Sequence, residues 1–161
     1  MAQINDIVTE LNTVATAFTA INTFEFEEID YINDNRSKTY PVLLVDSRNI
    51  DINPIDFKRS NLPNKVHYSF KLFFLDDYHT SEQKTTTRAA KYSELETIAN
   101  QFLAEIKKRG IANSDLNFHL QTSQVNNGFV VDEVHNDKLV QLVYDVTFTA
   151  YGDCTEGTFS Y

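Results

Sequence analysis

The sequence predicts an α+β fold: a mostly antiparallel sheet of about five strands packed against two helices, in the order α-β-β-β-α-β-β. Two observations carry that prediction. Apolar residues recur at helical spacing in two separate stretches, and they alternate with polar residues in five others. A third, the 161-residue length, fits a single domain with a self-sufficient core. Residues 1–151 form that domain, with a long irregular loop at 47–64, and 152–161 form a tail.

The first helix is expected over residues 3–18. Ile4, Ile7, Val8, Leu11, Val14, Ala15 and Phe18 make one apolar stripe. Asp6 and Glu10 sit early, where the helix dipole favours negative charge, and Asn22 is a stop signal. A strand follows at 23–32, with Phe24 and Phe26 on one face and Glu25 and Glu27 on the other. Asn33-Asp34-Asn35 supplies turn chemistry. The second strand, 38–46, is apolar without interruption from Val42 to Val45, which implies burial on both faces or contact with a partner. Pro41 marks a strand start or an edge, because proline has no N–H for a ladder.

Residues 47–64 break the rhythm. Two prolines and four asparagines argue against regular structure, yet Ile50, Ile52, Ile55, Phe57 and Leu62 are too apolar for a free loop. Residues 36–65 also carry a formal charge of +3, which leaves −12 for the rest of the chain. Such a segment either folds back on its own domain or docks on a neighbouring subunit.

The third strand, 65–76, places Val66, Tyr68, Phe70, Leu72 and Phe74 on one face, while Phe73 and Leu75 make its far end apolar on both sides. The long helix is expected over 82–109, with Leu95, Ala99, Phe102 and Ile106 among its buried positions. Lys107-Lys108-Arg109 then complements the dipole of the last turn, and Gly110 is the expected C-terminal cap. A fourth strand (115–125), a turn at Asn126-Asn127-Gly128 and a last strand (138–151) complete the order.

Composition narrows function more by exclusion than by signature. A net charge of −9 disfavours general nucleic-acid binding, which needs cations against phosphates. Four glycines leave no phosphate-cradling loop. The histidines, His67, His79, His119 and His135, lack zinc-ligand spacing. Cys154, the one cysteine, excludes an internal disulfide framework and has no cationic neighbour to activate it. With no apolar signal segment at its start, the chain is expected to be made in a reducing cytoplasm. Glu25, Glu27, Glu28 and Asp30 form an acidic strip that an exposed strand face explains better than acid-base catalysis does. The expectation is a protein without enzymatic activity, metal or cofactor.

Four stretches carry a family resemblance: YPVLLVD (40–46) before the irregular segment, YSFKLFFLDDY (68–78), YSELETIANQFLAEIKKRG (92–110) and LVYDVTFTAYGDC (142–154). Together with the element order (helix, three-stranded meander, helix and closing hairpin), they resemble the tail terminator and head-to-tail connector proteins of tailed bacteriophages, including those of crAss-like phages. The resemblance implies a virion protein of the neck or tail, made in the host cytoplasm. It implies rings of six or twelve copies beside portal, adaptor or tail-tube rings, with genomic DNA passing through the lumen unread. By position, 47–64 is the segment expected to reach the lumen or an adjacent ring, so Arg48, Ile52, Phe57, Lys58, Arg59 and Leu62 are the interface candidates. A basic loop on an acidic body offers the unlike surfaces that a ring needs, and Arg48, Lys58 or Arg59 is expected to meet acidic groups of a neighbour. Two other functions fit the same composition: a small-ligand-binding or enzymatic domain with a pocket between sheet and long helix, and an acidic regulatory or immunity protein that captures a basic partner.

Overall fold

A computed structural model describes residues 3–29, 38–54, 64–77, 85–112, 117–125 and 139–152. The elements are α1 (Ile4–Ala17), β1 (Thr23–Glu27), β2 (Val42–Asp46), β3 (Asp51–Pro54), β4 (Asn64–Asp77), α2 (Thr85–Ala112), β5 (Phe118–Val125) and β6 (Leu139–Gly152). The α+β class and the two-helix, mostly antiparallel architecture are as expected. Among the described residues the sheet has six strands. Five follow the order β1-β2-β4-β6-β5, and β3 pairs with β4 off that path.

Burial follows the alternation read from the sequence. Val66, Tyr68, Phe70, Leu72 and Phe74 of β4 and Leu142, Tyr144, Val146, Phe148 and Ala150 of β6 share one face with the apolar stripes of both helices. Aromatic rings knit this layer edge to face: Phe148 meets Phe70 and Phe118, and Phe74 meets Phe102 and Tyr144, with ring centroids 5.8–6.0 Å apart. Each fully buried side chain of this size contributes roughly 1.5–3 kcal/mol. The opposite face holds a smaller cluster of Val42, Leu44, Phe73, Leu75, Leu139 and Val143, with Ile29 and Tyr40 packed against it. All five residues of β2 are buried, with Leu43 and Val45 in the first cluster and Val42 and Leu44 in the second. An uninterrupted apolar run is what such a doubly covered strand requires.

Helix ends follow local chemistry. Asp6 accepts a 2.7 Å hydrogen bond from the Gln3 backbone N–H, satisfying a donor exposed at the start of α1. Arg109 of α2 bonds Glu10 of α1, joining the two helices across their packed sides.

Four expectations need correction. The first two strands do not form a meander with the third: β1 lies parallel to β2, with Thr23 opposite Val42 and Glu27 opposite Asp46. Alternation encodes a strand's faces and not its direction. A parallel pair needs a crossover of about a dozen residues or more, and 28–41 supplies that length. The two strands are also shorter than expected: β1 stops at Glu27, and β2 begins at Val42, directly after Pro41. Residues 47–64 are not wholly irregular, since Asp51–Pro54 pairs with Val66–Ser69 of β4. Gly110 does not cap α2, which continues to Ala112. Its role is close approach: a Cβ there would lie 3.1 Å from the His119 Cα and 3.4 Å from the Phe118 carbonyl oxygen. The turn at 126–128 lies outside the described residues.

Candidate functional site

The long strand β4 positions the site. β6 pairs with one edge along its whole length, from Asn64 to Asp77. The other edge is shared: β2 takes Leu72–Leu75 and β3 takes Val66–Ser69. Between Val45 and Asp51 the chain spends six residue steps where β4 spends three, so it bulges. Asp46 holds the bulge. Its buried carboxylate accepts a 3.0 Å bond from the Arg48 N–H and another from the Asn49 side-chain amide. That turn chemistry is local and needs only Asp at the strand's end.

The bulge brings two of the six interface candidates to the same margin of the sheet. Arg48 reaches Glu28 of its own chain at 3.3 Å, an ion pair that is partly exposed on both sides. Ile52 stands 54% exposed on β3. Phe57, Lys58, Arg59 and Leu62 lie outside the described residues. Sequence reasoning missed Phe26, which is 36% exposed at the end of β1 beside the same margin. Its alternation with Glu25 and Glu27 marks a buried position, but the covering layer thins there. The acidic strip is largely neutralised within the chain: Glu25 bonds Lys38 and Glu28 meets Arg48, while Glu27 is exposed. Asp30 lies outside the described residues.

Beside the bulge, on the sheet face away from the helices, lies a polar groove of about 420 Å³. Its floor is the Ser69–Thr147 hydroxyl pair at 3.0 Å, and Lys71 faces Asp145 at 3.9 Å. A second groove of about 370 Å³ runs between the helices over Val14, Phe18 and Phe102. Neither lies between the sheet and the long helix, where a ligand-binding domain was expected to hold its pocket.

The far margin is built differently. β5 pairs with β6 from Phe118 opposite Ala150 to Val125 opposite Tyr144, with an irregularity between Leu120 and Thr122. On its outer face the His119 and Tyr151 rings stack 5.3 Å apart, and the Lys65 ammonium lies 5.5 Å from the Tyr151 centroid. The Thr149 hydroxyl donates to the Gln121 side-chain oxygen at 2.8 Å.

A partly buried ion pair lies at the top of β4. Lys91 of α2 bonds Asp76 at 2.9 Å. Burial lifts the Asp76 carboxyl above its ordinary range against the pull of Lys91, and the bond to Asp76 raises the Lys91 ammonium. Its links to α2 and to the neighbouring Asp77 N–H mark it as a structural clamp. Among the described residues no group of His, Cys, Asp and Glu is placed to hold a metal ion, and no helix is long and apolar enough to cross a membrane. His67 and His119 sit on β4 and β5; His79, His135 and Cys154 lie outside the described residues.

No protein-family model matches the chain, and no curated protein matches it significantly.

Proposed function

We propose that this chain is a structural ring subunit of a tailed bacteriophage, placed in the neck or tail, where copies of it join or cap the conduit between portal and tail. One observation carries the reading: the two margins of the sheet are unlike. The β1/β3 margin exposes Phe26 and Ile52 beside the acids Glu27 and Asp51. The β5 margin carries His119, its ring stacked on Tyr151 of β6. A closed ring of identical subunits needs heterologous contacts, in which one patch meets a different patch on the next copy. The four stretches that resemble tail terminators and connectors support the placement in a virion. A net charge of −9 suits a wall that DNA passes without sticking. In this reading the partners are further copies, the adjacent portal, adaptor or tail-tube ring, and DNA in transit, and no catalysis is involved.

Particle mass tests it. Six copies of the 18.5 kDa chain give about 111 kDa and twelve about 222 kDa. Static light scattering on concentrated protein, with imaging of the particles, should show rings of one of these sizes. A strictly monomeric protein at every concentration, or a one-to-one complex with a small metabolite, would refute it. Joint charge reversal, Lys58→Glu with Arg59→Glu, should reduce ring yield, and normal assembly by that variant would remove the loop from the interface.

A further inference from the structure

Resting on the ring reading, we infer that β5 of one copy pairs antiparallel with β3 of the next, filling the notch beside β3 and below β1, so that the sheet continues from subunit to subunit.

The register sets the two strands at one height. β3 lies opposite Val66–Ser69 of β4. The Phe118–Thr122 half of β5 lies against Thr147–Ala150 of β6, the stretch that faces Val66–Ser69 of β4. β1 covers β2 alone, so among the described residues the outer edge of β3 has no strand beside it. Directions agree as well. β3 runs against β4, whereas β5, two antiparallel steps from β4, runs with it. A copy rotated about an axis along the strands therefore presents β5 antiparallel to β3, the more stable arrangement for an added strand.

Side chains favour the same partner. Phe26 and Ile52, the exposed large hydrophobics among the described residues, share one face of this margin, since Phe26 pairs with Val45 and Ile52 with Tyr68, both of the helix-covered core. They prolong the core layer to an open rim, a hazard for a free edge and an anchor for an occupied one. On the other face, Asp51 would approach the polar His119–Gln121 stretch of the neighbour. A two-fold β3–β3 contact would set acid against acid, and a β5–β5 contact would leave Phe26 and Ile52 uncovered. The acidic, apolar-rimmed edge of β3 against the polar His119–Gln121 edge of β5 selects the heterologous pairing.

Disulfide trapping tests this in a Cys154→Ser background. Within one chain β3 and β5 are three strand spacings apart, about 14 Å, beyond the reach of a disulfide. Asn53→Cys and Gln121→Cys chains, mixed and oxidised, should yield a crossed dimer. The double variant should give a ladder ending at the ring's copy number. Ile52→Asp should shift the particles to 18.5 kDa monomers while leaving Tm within about 2 °C, as expected of a small surface ΔΔG. Rings of full mass without the crossed disulfide would overturn the pairing and leave the ring reading standing. Protein that never assembles would remove both. A disulfide of Gln121→Cys with itself, or a clear fall of Tm in Ile52→Asp, would overturn the inference in favour of a two-fold dimer or of coverage by the chain's own segments.

Discussion

The two faces of the sheet are held by different physics. The helix-covered face is one continuous aromatic and aliphatic layer, with Phe70, Phe74, Phe102 and Phe148 almost wholly excluded from water. The outer face divides: its upper end is apolar around Phe73 and Leu75, and its lower end is polar, held by Ser69–Thr147, Thr149–Gln121 and Lys71–Asp145. Area burial is strong and indifferent to direction, whereas half-exposed polar pairs contribute little each. The first face therefore maintains the fold. The polar end of the second is free to meet other molecules without loss of stability.

Substitutions should separate the faces by magnitude. Phe148→Ala removes the ring that contacts both Phe70 and Phe118, and should cost about 3–5 kcal/mol in urea unfolding. A cost below about 1 kcal/mol would mean the layer repacks freely and the contrast is false. Asp46→Ala leaves the Arg48 N–H and the Asn49 amide without their acceptor. It should cost about 1–3 kcal/mol and loosen amide-exchange protection first at β3. Even loss across the sheet would show that the bulge is not held locally.

The Asp76–Lys91 clamp sharpens the comparison through pH. Lys91 has its folded pKa raised above 10.5 by the bond to Asp76, so its stabilisation is complete below pH 10.5 and is lost as pH rises through the folded value. Tyr144, raised by burial, acts in the same direction. Thermal unfolding followed from pH 9 to pH 12 should show stability falling, and Lys91→Met should flatten part of that fall. Asp76 is also raised, by burial, so its ionisation weakens the fold as pH climbs from 3.8 through the folded value. The smallest effect belongs to the polar end: Ser69→Ala should change stability by no more than about 1 kcal/mol. A larger loss would make that face part of the core.

Much of this was legible in the chain. β4 and β6 declare themselves by alternation at Val66–Phe74 and Leu142–Ala150, and α2 by the spacing of Leu95, Ala99, Phe102 and Ile106. The double burial of β2 follows from Val42-Leu43-Leu44-Val45. Of the candidate interface, Arg48 and Ile52 were visible as charge and apolarity inside an irregular segment. Phe26 was hidden because alternation cannot say how far a covering layer extends. The Arg48–Glu28 contact was hidden because the two residues are brought together by a parallel pairing.

What the sequence alone determined is therefore which side of each element seeks apolar company, because that is written in the spacing of side chains along one strand or helix. Tertiary structure decided strand direction, the split of one β4 edge between β2 and β3, and the reason for Gly110. Each depends on which backbone lies next to which. That adjacency is settled by the joint packing of distant segments, and no local pattern of residues encodes it.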